Sequence, residues 1–176
     1  LPARRRHPMR SALPWVTAAL VVVLDRVTKM LVVDHLTVGS WTPVVPGLAL
    51  TRVHNTGIAF SLFSDGSWLS RVLLHAVILT AVVLIAWMAR RHGHHRLLAG
   101  FAFGLILGGA AGNLIDRVLY GWVIDFLHLW LRLGDRTWSW PDFNVADAAI
   151  TVGAILLILN ELLAGRGQPS HAPDPS

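Results

Sequence analysis

Residues 97–119 read LLAGFAFGLILGGAAGNLIDRVL. No polar side chain occurs from Leu97 to Gly112, and then Asn113, Asp116 and Arg117 arrive within two turns. A helix needs about 20 predominantly apolar residues to cross a bilayer core, so this stretch is read as a membrane span with one polar end. Its glycines, Gly100, Gly104, Gly108 and Gly112, recur every fourth residue and share a helix face, where a neighbouring backbone can approach closely.

Three further apolar stretches lie at about residues 12–33, 68–88 and 143–163. The 176-residue chain is 54% hydrophobic and only 14% charged, whereas a soluble domain uses about 25% charged residues. The expectation is an all-α membrane protein of four transmembrane helices, one integral domain over residues 1–176, since four spans leave no room for a second folded unit. Arg4, Arg5, Arg6 and Arg10 precede the first span, and Arg90, Arg91 and Arg96 separate the second from the third. By the positive-inside rule the tails, 1–11 and 164–176, are cytoplasmic, and loops 34–67 and 120–142 lie outside. Trp41, Trp68, Trp122, Trp130, Trp138 and Trp140 fall near that outer side, as an interfacial belt does. The first stretch is read as a retained helix and not a cleaved leader, because Asp25 interrupts it and no small-residue cleavage site follows.

The chain has no cysteine, which excludes disulfides, thiol nucleophiles and Cys-ligated zinc. Its only glutamate, Glu161, has no histidine at HExxH spacing. The arginines cluster in the breaks between apolar runs and do not form a basic face, so no nucleic-acid partner is expected. His92, His94 and His95 are read as a solvated basic loop in preference to a metal site.

The outer loops carry structure of their own. Pro43, Pro46 and Gly47 mark turns, and Leu48–His54 is compatible with a short strand. From Phe126 to Leu133 the pattern alternates, with Leu127, Leu129, Leu131 and Leu133 on one side, which is strand periodicity. A small sheet on the outer membrane face is expected.

Ionisable groups in spans are costly and are candidates for function. Here they gather at one level. Asp25 and Lys29 share a face in the outer half of the first span. Asn113, Asp116 and Arg117 end the third, and Asp125 follows. Asn144 and Asp147 open the fourth, and Asn55 lies in the first outer loop. Simpler roles exist for each: an intrahelical pair for Asp25 and Lys29, an interface anchor for Asp116 and Arg117, a helix cap for Asn144, a dipole-favoured carboxylate for Asp147. Spans three and four are antiparallel neighbours, so Asp125 and Asp147 can meet. Two close carboxylates hold one proton between them, and such a pair can activate water while polarising a peptide carbonyl. Position and spacing reach a carboxylate site at the membrane interface. They do not separate a protease from a proton-coupled carrier.

The motifs resemble those of the bacterial lipoprotein signal peptidases, the signal peptidase II family. The matching residues are Asp25 with Lys29, Asn55-Thr56-Gly57-Ile58-Ala59-Phe60-Ser61, Gly112-Asn113-Leu114-Ile115-Asp116-Arg117, Val123-Ile124-Asp125-Phe126 and Phe143-Asn144-Val145-Ala146-Asp147. The resemblance implies four transmembrane helices with an extracytoplasmic β-cradle and a short amphipathic helix. It implies an aspartic endopeptidase of the bacterial cytoplasmic (inner) membrane, with its site at the extracytoplasmic face. This enzyme cuts prolipoproteins just before the diacylglyceryl-modified cysteine. Its partners would be that substrate and membrane lipids, its state a monomer, and it would need no metal or organic cofactor. Asp125 and Asp147 match the catalytic pair. Asn55, Gly57, Asn113, Arg117, Asn144 and Ala146 match substrate-binding or supporting positions, and Asp25 and Lys29 match a structural pair. The GxGD motif of another intramembrane aspartyl class is missing, because Arg132 stands where its first glycine belongs in Arg132-Leu133-Gly134-Asp135.

Overall fold

The computed structural model describes residues 8–57, 68–93 and 96–165, apart from the side chains of 8–11, 71 and 164–165. Ile58 to Ser61, His94 and His95, named above, lie outside the described residues. The chain is mostly helical, with one small antiparallel sheet. Its elements run α1 (Pro8–His35), β1 (Trp41–Val45), β2 (Leu48–Asn55), α2 (Trp68–His92), α3 (Leu97–Tyr120), β3 (Val123–Leu133), β4 (Arg136–Ser139) and α4 (Val145–Gly165). No fifth helix stands among the described residues.

Three helices, α2, α3 and Val145–Leu163 of α4, are long and apolar enough to cross a membrane. The longest, α1, has 28 residues but carries Asp25, Arg26 and Lys29 in one stretch. Large apolar side chains on α1, α2 and α4 point away from the protein, among them Leu20, Val23, Val83, Ile158 and Leu162. Soluble proteins rarely expose apolar surface on that scale, whereas lipid tails solvate it.

The middle helix is α3, packed along α1 and α4 and, less extensively, α2. The glycine series explains why α1 comes so close. A Cβ added at Gly104 would lie 2.5 Å from the Thr17 Cβ, at Gly108 2.7 Å from the Ala18 carbonyl, and at Gly112 2.7 Å from an Asp25 oxygen. Gly109 and Gly153 make the same allowance for α4, against Ala146 and Ala102. Gly108→Ala is therefore expected to overpack this seam and destabilise the protein by about 1–3 kcal/mol. Thermal melting in detergent measures this, and an unchanged midpoint would mean that α1 and α3 do not meet at that level.

The strands form one sheet in the order β1-β2-β3-β4, every neighbour antiparallel. The expected strands at Leu48–His54 and Phe126–Leu133 are present, the second extended back to Val123. β1 includes Pro43, which an edge strand tolerates because one side of it needs no ladder hydrogen bond. At the C-terminus of α3, Gly121 takes a left-handed conformation (φ 84°), and its N–H donates to the Arg117 carbonyl. That turn starts β3 two residues later. Val32 of α1 packs with Ile124 and Phe126 of β3, fixing the sheet to the ends of the helices.

Candidate active site

Asp125 lies on β3, near a register shift in β2 between Leu50 and Val53. Bulges of this kind re-aim side chains and are frequent beside functional sites. Asn55 pairs with Val123 in the same ladder, one diagonal from Asp125, and its Nδ2 donates to Asp125 Oδ2 at 3.0 Å. The other oxygen of Asp125 accepts from Asn144 Nδ2 at 2.7 Å.

Asn144 is the residue before α4, and it caps that helix. Its Oδ1 accepts the Asp147 N–H at 3.0 Å, while Asp147 Oδ2 accepts the Asn144 N–H at 3.2 Å. This is the reciprocal capping box, with aspartate in the third position. The cap and the site thus share one residue: Asn144 holds Asp147 through its backbone N–H and its Oδ1, and Asp125 through its Nδ2. Asp147 Oδ1 accepts from Asn113 Nδ2 of α3 at 2.7 Å. Asn113 Oδ1 in turn accepts from Asn144 Nδ2 at 3.2 Å and from Lys29 Nζ at 3.0 Å. All four carboxylate oxygens of Asp125 and Asp147 have donors, and each keeps a further lone pair for a proton or a water.

Burial raises the pKa of Asp125 from the ordinary carboxylate range to about 7, and the neighbouring charge of Asp147 adds to the rise. Hydrogen bonds from Asn55 and Asn144 and the charge of Lys29 oppose it without cancelling it. Asp125 is only 2% exposed. Asp147 is half-buried and faces a groove of about 330 Å3 lined by Leu129, Trp140, Phe143, Ala148 and Val152.

Arg117 closes the other side. Its Nη2 donates to the Gly57 carbonyl at 2.9 Å, its Nη1 reaches the Asn113 carbonyl at 3.4 Å, and its Nε is buried without a partner. Gly57 donates its own N–H to Asn55 Oδ1 at 3.1 Å, so Arg117, Gly57 and Asn55 form one chain of contacts to Asp125.

Behind the carboxylates, Lys29 is fully buried. Its ammonium lies 2.8 Å from Asp25 and 2.8 Å from Asp116, which with Asn113 gives three acceptors for three donors. Asp25 also accepts the Ala146 N–H at 3.0 Å, and Asp116 accepts the Ile124 N–H at 3.2 Å. Both α4 and β3 are thereby tied to this buried ion cluster, each next to a site aspartate. Arg26 joins it at 3.0 Å from Asp116.

Every predicted site residue thus belongs to one connected network. Asp116, expected as an interface anchor, is the second acceptor for Lys29. Asp142, two residues before Asn144, is not among the expected site residues; its Oδ1 accepts from Thr51 Oγ1 at 2.8 Å and lies 3.1 Å from His128 Nδ1.

The Signal peptidase (SPase) II family model matches residues 17–163. The chain belongs to the signal peptidase II family. It is 45% identical over 164 residues to a lipoprotein signal peptidase of Cupriavidus necator, covering 92% of this chain and 91% of that one. A lipoprotein signal peptidase of Burkholderia mallei is 43% identical over 155 residues, covering 88% and 90%. Two solved structures described as bacterial membrane enzymes share the fold. One has a TM-score of 0.77 at 27% identity over 92% of this chain and 94% of its own. The other has a TM-score of 0.73 at 29% identity over 85% and 92%. The protein is a peptidase of this membrane-enzyme family.

Proposed function

We propose that this chain cleaves the signal peptide from diacylglyceryl-modified prolipoproteins just before the lipid-modified cysteine, with Asp125 and Asp147 as the catalytic pair. The observation that carries the assignment is the Asn144 bridge, which ties together the two carboxylates, one of which, Asp147, lines an apolar groove. Asp125 carries the shared proton below pH about 7. The Asp147 carboxylate takes a proton from water as its oxygen attacks the scissile carbonyl, and Asp125 gives its proton to the carbonyl oxygen. In the collapse of the tetrahedral intermediate, Asp147 passes the proton to the leaving nitrogen, and Asp125 recovers its own from the intermediate's hydroxyl. Asn55, Asn113 and Asn144 keep both side chains aimed. Gly57 and Arg117 support substrate backbone, and Ala146 fixes the start of α4.

In this reading all four helices cross the bacterial cytoplasmic membrane, α1 included, because Asp25 and Lys29 are buried against α3 and α4 and the partly exposed Arg26 is paired with Asp116. The arginine distribution supports cytoplasmic tails 1–11 and 164–176, with the sheet and site outside. A diacylglyceryl cysteine keeps its chains in the bilayer, so its peptide bond arrives at the interface, the level of Asp125 and Asp147. The chain acts as a monomer and uses no cofactor. Family membership gives the carrier reading no support.

The test is cleavage of a purified diacylglyceryl-modified prolipoprotein in detergent with a chelator present. Product cut before the lipidated cysteine supports the reading, and no cleavage by well-folded enzyme refutes it. The rate is expected to fall as pH rises through about 7, because the proton leaves Asp125. Asn55→Ala removes a donor to the ionised carboxylate, raising this pKa further, so the alkaline limb should move to higher pH. A limb that stays put or moves down would separate it from Asp125.

A further inference from the structure

At the ends of the helices remote from the sheet, α2 and α4 scarcely touch, and a cleft of about 420 Å3 opens between them over α3. Its apolar lining includes Met88 of α2, Phe103 of α3 and Leu157 of α4. It also carries both signs of charge. Arg96 stands at the start of α3 and Glu161 in the last turns of α4, and both line the same cavity. They make no ion pair with each other among the described residues. Asn160, only 6% exposed, stands between them: its carbonyl accepts from Arg96 Nη1 at 3.5 Å, and its Nδ2 donates to Glu161 Oε1 at 3.1 Å. The neighbouring arginines are engaged elsewhere, Arg90 over Trp15 and Arg91 over Trp87.

A purely anionic headgroup in this cleft would be attracted by Arg96 but repelled by Glu161. A zwitterion with a hydrogen-bonding cation satisfies both. The guanidinium fork suits a phosphate, and the carboxylate suits an ammonium that donates N–H bonds. Phe103 lies seven residues into α3 from Arg96, about 10 Å deeper at 1.5 Å per residue, at the depth of acyl chain and not of headgroup. We propose that the cleft between α2 and α4 is a binding site for phosphatidylethanolamine of the adjoining leaflet. Its phosphate sits on Arg96, its ammonium on Glu161 and one acyl chain over Phe103 and Leu157. This site rests on the helices spanning a bilayer and is independent of the peptidase chemistry at the other end.

The full chain, purified in mild detergent, is offered an equimolar mixture of phosphatidylethanolamine, phosphatidylcholine and phosphatidylglycerol with identical acyl chains. Bound lipid is read by native mass spectrometry. Wild type is expected to retain phosphatidylethanolamine over both others. Glu161→Gln should lower that retention by about tenfold, the scale of one charge-assisted hydrogen bond, and erase the preference over the choline lipid. Leu157→Trp, which fills the cleft, should lower retention of all three lipids, while Ile155→Ala on the exposed side of α4 should leave the pattern intact. Equal retention by wild type, a phosphatidylglycerol preference, or a preference surviving in folded Glu161→Gln would overturn the proposal. If Glu161→Gln fails to melt cooperatively, Leu157→Trp decides, since undiminished retention there places the lipid elsewhere. Prolipoprotein cleavage, assayed on the same samples, reports separately on the peptidase reading.

Discussion

Asp147→Asn and Asp125→Asn are each expected to lower prolipoprotein cleavage by roughly a hundredfold to ten-thousandfold, the range for loss of a positioned acid or base. Both variants should also lose some stability, because each aspartate accepts a hydrogen bond at both oxygens. A protonated carboxyl and an amide have nearly the same shape, and Asp125 is protonated below pH about 7. Asparagine there matches the neutral carboxyl in charge, but Asn55 and Asn144 both donate to Asp125 and an amide accepts at only one oxygen, so melting near neutral pH should fall by about 1 kcal/mol while the proton needed by the carbonyl is gone. Asp147 accepts at both oxygens, from Asn113 Nδ2 and from the Asn144 N–H. An amide at 147 can keep only one of these bonds. Asn113 cannot turn to accept, because its own oxygen already takes Lys29 and Asn144. Asp147→Asn should therefore also cost about 1 kcal/mol of stability. Measurable are the cleavage rate per folded enzyme and the melting midpoint of each variant. Wild-type turnover in either would end the dyad assignment, and unchanged melting in either would mean that its carboxylate does not hold both of these hydrogen bonds.

Much of this arrangement is legible in the chain because polar side chains stand out against apolar surroundings. Asn113, Asp125, Asn144 and Asp147 were visible as groups that lipid would penalise, all at one end of the spans. β2 and β3 were visible through turn residues and the alternation of Leu127, Leu129, Leu131 and Leu133. β1 was hidden by Pro43, which reads as a turn but is admissible at a sheet edge. β4 is short and fully exposed, so it has no buried face for a pattern to record. The sequence could not reveal that Asn144 serves the helix cap and both aspartates together. Helix capping is a local property, but the contacts from Asn144 to Asp125 and Asn113 join distant segments. Asp116 was obscured for the same reason: its spacing from Asn113 puts both on one face of α3, and only the packing of α1 shows that Lys29 reaches both. The simple readings of Asp25 with Lys29 as an ion pair and of Asn144 as a cap are correct as geometry, and each describes only part of the residue's contacts.

Lys29→Ala should produce the largest loss of stability, about 3–5 kcal/mol, the usual result of removing one partner from a buried ion pair. The ammonium is fully buried and serves Asp25, Asp116 and Asn113. Without it Asp116 keeps Arg26 and the Ile124 N–H, but Asp25 retains from the opposing elements only the Ala146 N–H. The damage should therefore be centred on Asp25 and on the start of α4 that it holds. Neutralising the stranded charge tests this, because the penalty comes from the unpaired carboxylate more than from the lost bond. Asp25→Asn with Lys29→Met should melt higher than Lys29→Ala alone, since methionine restores apolar volume and the amide carries no charge. Turnover per folded molecule should fall less than melting does, as Lys29 reaches Asp147 only through Asn113 and touches neither the groove nor Asp125 by hydrogen bond. Unchanged melting with abolished cleavage would instead make Lys29 part of the reacting site, and the buried cluster would then be a proton reservoir for the dyad, not its foundation.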